Sequence, residues 1–244
     1  MFIKYGEEDH ISKLKTNGEI FFNPCECFRK LEFEQMQKGI GDREDGGISA
    51  TCDTIFVESL RGIVRKLENQ KSSFIVEPCL KTPTFCLRES SEPYITSTYR
   101  EKLHIQFPKH THALVIKNET VFLENIRYHF KSRAFGHQIF YQDYFFTDFM
   151  DFLHRGTSDM NFYVPQSKSR YYAIFRCIPN SGGEFTQRVD DSNFYKTMFR
   201  KGLFFQDQVE YRIVLPYEKI EKGRLFKIAP IVEGCICKID DLVR

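Results

Sequence analysis

The chain has 244 residues, 41% of them hydrophobic, enough for a real buried core and within reach of one large domain. Its 35 basic and 33 acidic side chains are interspersed and sum to +2, so no overall field calls for a nucleic-acid backbone. The opening Met-Phe-Ile-Lys-Tyr meets Glu7, Glu8 and Asp9 at once, and no segment is apolar for long enough to span a bilayer; a soluble, cytoplasmic protein with no membrane partner is expected.

Eight scattered cysteines lack a disulfide-framework spacing, which suits a reducing compartment. The two Cys-x-Cys pairs, Cys25/Cys27 and Cys235/Cys237, would hold zinc only if the chain ends met, and the usual ligand knuckle is Cys-x2-Cys, so no metal site is assigned.

In chain order, Phe2 to Tyr5 reads as a strand, and an acid-started helical turn with Ile11 and Leu14 on one side closes at Asn17-Gly18. Glu19 to Phe22 is a second strand, and from Pro24 a helix carries Phe28 and Leu31 inward. The loop from Lys38 to Gly47 holds four glycines and three acids. It lacks the Gly-Lys-Ser/Thr ending of a phosphate-binding loop and the spacing of a dinucleotide fingerprint. Asp42, Glu44 or Asp45 would there line a site for a cation or for sugar hydroxyls; otherwise the loop is a flexible turn.

Ile48 to Glu58 has strand composition, while Leu60, Ile63, Val64 and Leu67 fall on one helical stripe. Phe74 to Cys79 and Thr84 to Arg88 read as strands, and Glu89 to Thr98 as a polar loop. His104, His110 and His112 come close together before the apolar run Ala113 to Ile116; His110 and His112 share a side if that strand starts early, which suits a metal or a proton relay. Surface histidines are the plainer account.

A helix from Glu119 places Phe122, Ile126 and Phe130 at four-residue spacing, with Gly136 past its end. Ile139 to Phe146 is strand-like, Thr147 to Arg155 a short capped helix, and Arg170 to Ile178 another strand. From Asp191 or Ser192 a helix carries Phe194, Tyr195, Met198 and Phe199, with Gly202 as its C-cap and Lys196, Arg200 and Lys201 on or near its exposed side. Those cations either complement the helix dipole or clamp a phosphate or carboxylate group.

The stretch after them organises the chain. Val209, Tyr211, Ile213 and Leu215 share one face of a strand ended by Pro216, and Glu210, Arg212 and Val214 share the other. A carboxylate and a guanidinium two residues apart on one strand face lie roughly 7 Å apart at Cα. They form either a structural ion pair or the chemical centre of a cleft. Leu225 to Ile228 and Cys235 to Ile239 supply closing strands. The whole chain, residues 1–244, reads as a single α+β domain with a mixed or antiparallel central sheet and several flanking helices.

Phe2-Ile-Lys-Tyr5, Leu14-Lys-Thr-Asn-Gly-Glu-Ile-Phe-Phe-Asn-Pro24, Phe85-Cys-Leu87 and Glu210-Tyr-Arg-Ile213 together resemble an uncharacterised bacterial and phage family. That family has an opening aromatic-Lys-Tyr strand and a late Glu-x-Arg-Ile strand preceded by a Lys-bearing helix. Here Asn23-Pro24 continues as Cys-Glu-Cys-Phe, which departs from its pattern. The resemblance implies kinship and a mobile-element or conflict-system setting, and no reaction. A more remote likeness is to ADP-ribosyltransferase-like folds. It implies an NAD- or nucleotide-handling transferase or glycohydrolase, with NAD as cofactor and a small nucleotide, protein or nucleic acid as partner. Glu210 would hold the ribose hydroxyl, Lys4 or Tyr5 would meet the nucleotide, and Arg212, Lys196 or Lys201 would take the phosphates.

Two other functions compete with it. One is a non-enzymatic binding or inhibitor module in which Glu210 and Arg212 are a structural pair. The other is a metal-dependent nuclease using Asp42, Glu44, Asp45 and Glu210.

Overall fold

The computed structural model describes residues 1–35, 45–50, 54–59, 62–68, 72–75, 77–142, 172–178, 185–190, 195 and 197–244. The chain opens with β1 (Phe2–Gly6), α1 (Glu8–Asn17), β2 (Glu19–Pro24) and α2 (Cys25–Gln35). Next come β3 (Gly47–Ala50), β4 (Thr54–Ser59), β5 (Gly62–Glu68), β6 (Ser72–Ile75) and the single turn α3 (Glu77–Leu80). The middle holds β7 (Pro83–Glu89), α4 (Ser97–Gln106), β8 (His112–Ile116), α5 (Glu119–His129), β9 (Phe135–Gln138) and β10 (Phe140–Gln142). After β11 (Tyr172–Ile178), β12 (Phe185–Asp190) and β13 (Arg200–Gly202), a 3-10 turn over Leu203–Gln208 leads to β14 (Glu210–Val214). Strands β15 (Arg224–Lys227) and β16 (Gly234–Lys238) and the 3-10 turn Ile239–Leu242 close the chain.

The described residues fall into two compact units. The first comprises Met1–Arg43, Leu80–Phe140 and Phe204–Arg244. Its eight-stranded antiparallel sheet has the order β15-β2-β7-β1-β8-β16, and β14 pairs with both β7 and β9. Both faces are covered. Phe2, Phe85, Leu87 and Ile213 pack with Ile11 and Leu14 of α1 and with Phe122 and Ile126 of α5. Behind them, Ile3 and Ala113 pack with Leu103 of α4 and with Ile239 and Leu242. Burying each such side chain contributes about 1.5–3 kcal/mol.

Helix α1 forms as its pattern implies: Glu8 and Asp9 sit in the first turn, Ile11 and Leu14 are buried, and Gly18 ends it in the left-handed region at φ 68°. Gly18 is also the one residue that fits, because a Cβ there would collide with the Ile228 carbonyl as β15 lies down beside β2.

The second unit comprises Glu44–Cys79 and Tyr141–Leu203. It holds an antiparallel sheet in the order β12-β11-β4-β5, and β3 pairs antiparallel with β6.

The expected α+β class with an antiparallel central sheet holds, and several local expectations are corrected. Of the expected helical stripe, Ile63, Val64 and Leu67 lie in strand β5, and Leu60 lies outside the described residues; the partner of β5 is β4, with a register shift between Val57 and Glu58. A short apolar run satisfies either period, and the neighbouring strand decides. Strand β6 stops at Ile75 and α3 takes the run to Leu80. Gly136 lies inside β9 rather than capping α5, and Gly202 lies inside β13 rather than capping a helix. The aromatic run expected as a strand over Ile139 to Phe146 begins earlier, as β9, and continues as β10 to Gln142. The polar stretch leads into α4, capped by the Thr96 hydroxyl on the Tyr99 N–H. The expected helix over Thr147 to Arg155 and most of the glycine-rich loop lie outside the described residues.

Candidate functional site

Alternation in β14 places Glu210 and Arg212 on one face, where both are buried. Arg212 is 0% exposed and Glu210 5%. The Arg212 Nε donates to Glu210 Oε1 at 2.8 Å. The bond offsets part of the cost of burying both charges; removing one partner of a buried pair typically costs about 3–5 kcal/mol.

Register on β7 adds a third charge. Glu210 stands opposite Arg88, and Arg212 opposite Cys86. Arg88 is thus the cross-strand neighbour of Glu210. Its Nη1 donates to the Asp207 carbonyl at 2.7 Å, and its guanidinium lies over the Tyr99 ring at 4.3 Å. The Arg88 Nε is buried and has no hydrogen-bond partner among the described residues.

The turn into β14 is strained. Val209, just before Glu210, has φ 43°. That left-handed conformation is an outlier for a β-branched residue and costs on the order of 1–3 kcal/mol. It is held by the Val209 N–H on the Gln206 carbonyl at 3.2 Å and by the Glu89 N–H on the Val209 carbonyl at 2.8 Å. Lys102 of α4 ties Asp207 of the same turn at 2.5 Å.

Strand β1 supplies Lys4 and Tyr5, whose side chains leave on opposite faces. The Lys4 Nζ donates to the Cys86 carbonyl at 2.9 Å and lies 4.5 Å from the Phe85 ring centre. Burial lowers its pKa, against the raising fields of Cys86 and Glu210. Tyr5 goes to the Arg88 side, its ring 6.4 Å from that of Tyr99. The Tyr5 hydroxyl is buried with no hydrogen-bond partner among the described residues. Burial pushes its pKa well above the usual phenol range, the nearby Tyr99 adds to this, and Arg88 opposes it. Tyr5 therefore stays a protonated phenol at neutral pH.

Four of the expected site residues, Lys4, Tyr5, Glu210 and Arg212, thus lie on β1 and β14, two of the three strands that pair with β7. Lys201 belongs to β13 of the second unit and is 6% exposed, and Arg200 beside it is also buried, so neither sits on an exposed helix face. Asp45 is a buried residue of the second unit. Lys196, Asp42 and Glu44 lie outside the described residues.

Among the described residues no group of three or more His, Cys, Asp or Glu side chains is placed to hold a metal ion. Cys25 begins the helix after β2, whereas Cys235 and Cys237 are on β16 at the far edge of the sheet. No helix among the described residues is long and apolar enough to cross a membrane.

Arg88 and Tyr99 are the site residues the sequence reading missed. Arg88 was legible as a charge on the strand Thr84 to Arg88, on the same face as Cys86; only the β7–β14 register makes it the neighbour of Glu210. Comparison with known proteins adds no kinship, since no family model, no curated protein and no solved structure matches the chain.

Proposed function

We propose that this chain is a non-enzymatic binding or inhibitor module in which Glu210 and Arg212 form a structural ion pair. The observation that carries this reading is the burial of the pair: the 2.8 Å bond joins a 0% exposed guanidinium to a 5% exposed carboxylate. A carboxylate that holds a substrate hydroxyl must present an oxygen to a cleft, and Glu210 presents almost no surface.

The test is Glu210→Gln. The amide keeps the shape and removes the carboxylate charge bonded to the buried Arg212. A structural role predicts a loss of about 3–5 kcal/mol, roughly 10 °C in Tm for a chain of this size. An unchanged Tm would sink the reading.

A second reading, NAD-handling transfer or glycohydrolysis, is favoured by Tyr5, Glu210 and Arg212 sharing one face of the sheet next to the strained Val209 turn, with Lys4 on the other face. Strain of this kind clusters at functional sites. Release of nicotinamide from labelled NAD, abolished by Glu210→Gln at unchanged Tm, would select it. No turnover in the parent chain would end it.

A further inference from the structure

Among the described residues β15 is the last strand on one side of the sheet of the first unit. The Ile228 N–H on the Gly18 carbonyl, at 2.9 Å, fixes the phase of its ladder with β2. In an antiparallel pair, hydrogen-bonded and non-hydrogen-bonded positions alternate. Phe226 and Arg224 therefore bond inward to Ile20 and Phe22, and Leu225 and Lys227 turn their N–H and C=O groups outward. Those outward groups make no hydrogen bond among the described residues.

The face beside this edge carries an apolar platform. Phe21 and Leu225 stand opposite each other at a non-hydrogen-bonded position, where side chains come closest. They are 50% and 53% exposed. A Cβ on Gly223 would collide with the Phe21 ring, so this glycine leaves the ring its place beside the edge strand.

Charge follows the same edge. Lys222, Arg224 and Lys227 are exposed and form no ion pair among the described residues, and Arg224 lies over the Phe226 ring at 4.9 Å. Three carboxylates count against them. Glu221 is matched by Lys81 at 2.6 Å, Glu218 and Lys219 of the preceding turn cancel in sign, and Glu19, opposite Lys227, offsets one cation. The balance along the edge stays positive. Cations on an edge strand also discourage pairing with other edges. A half-exposed apolar pair beside open backbone donors does the opposite, and the combination selects a partner by charge.

We infer that β15 takes an extended acidic segment of another protein as an added strand, its apolar side chain on Phe21 and Leu225 and its carboxylates on Arg224 and Lys227. Backbone pairing at Leu225 and Lys227 supplies affinity, and alternate side chains supply selectivity. Directly opposite positions on neighbouring strands share a face. A segment that fits, running antiparallel to β15, reads acid, any residue, apolar, acid against Lys227, Phe226, Leu225 and Arg224 in turn. A second copy of this chain would set the same unpaired cations against one another, which disfavours it. This inference rests on the binding-module reading and names its partner class.

The test uses the full chain and capped octapeptides with Glu-Thr-apolar-Glu at their centre, the apolar residue being Val, Ile, Leu, Phe or Tyr. Versions with lysine for each glutamate are the controls. Affinity is read by fluorescence anisotropy and amide hydrogen exchange by NMR. The expected result is saturable binding of acidic peptides, none of the lysine versions, and slowed exchange at the Leu225 and Lys227 amides. Leu225→Pro removes one outward N–H and keeps the bonds to β2, so it should weaken binding by about tenfold or more. Arg224→Gln combined with Lys227→Gln should weaken it by about tenfold at the parent Tm, since both side chains are exposed. No acidic peptide saturating up to about 1 mM, equal binding of the lysine versions, or full affinity in the double variant would overturn the inference. A concentration-dependent dimer lost in Leu225→Pro would assign the edge to a second copy and overturn it as well. A failed titration leaves the Tm test of Glu210→Gln standing. NAD turnover lost in Glu210→Gln overturns the module reading whatever the titration shows.

Discussion

Lys4 closes a gap in the central sheet by donating its Nζ to the Cys86 carbonyl at 2.9 Å. On that edge of β7, β1 pairs only at Glu89 and Arg88, and β2 only at Thr84 and Pro83. Cys86 falls between those two pairings, and the ammonium reaches its carbonyl there. A buried carbonyl left without a donor costs about 1–3 kcal/mol.

Lys4→Met keeps the aliphatic stem and removes the donor. Relief of the buried charge offsets part of the loss, so a net destabilisation of about 1–2 kcal/mol is expected. The urea unfolding midpoint measures it. A midpoint at or above that of the parent would mean that water reaches the Cys86 carbonyl unaided.

Arg212→Met should cost about 3–5 kcal/mol, because Glu210 stays buried and loses the guanidinium bonded to it. Replacing both, Glu210→Leu with Arg212→Met, should recover much of that loss, since a packed apolar pair has no charge to desolvate. The double-mutant cycle reads the coupling directly, and additive losses would show that the two side chains do not support each other.

Val209→Gly is expected to stabilise. The left-handed backbone suits glycine, and the relief of strain exceeds the entropy cost of an added glycine by about 1 kcal/mol. A lower Tm would show that the half-buried Val209 side chain contributes more packing than its backbone loses in strain.

His110 makes the fold sensitive to acid. Burial lowers its imidazole to about 4, helped by the Lys4 ammonium and by His10 and opposed by Glu7. The unfolded chain binds this proton near the ordinary value of about 6.5. Between those values the unfolded state holds more protons, so the contribution is complete above about 6.5 and is lost as pH falls toward 4. It amounts to at most about 3 kcal/mol by linkage, and less because the ring is partly exposed. His110→Phe should flatten the slope of stability against pH in that window, and an unchanged slope would assign it to other groups.

Elements with strong local periods were legible in the sequence. Ile11 and Leu14 on α1, the Gly18 cap, Phe122 and Ile126 on α5 and the two-residue alternation of β14 all follow from side-chain geometry within a few residues. So did the adjacency of Glu210 and Arg212, since a strand fixes which residues share a face.

Tertiary structure decided the rest. Ile63, Val64 and Leu67 fall on a helical stripe, yet β4 supplies hydrogen-bond partners that make Gly62–Glu68 strand β5. Arg88 meets Glu210 only through the register between β7 and β14, and Lys4 meets Cys86 only because two strands share one edge of β7. Arg100, His112 and Lys238, from α4, β8 and β16, line one cavity, and no period along the chain relates them. Contacts of this kind depend on how strands pair across long separations, and that choice belongs to the packed chain as a whole.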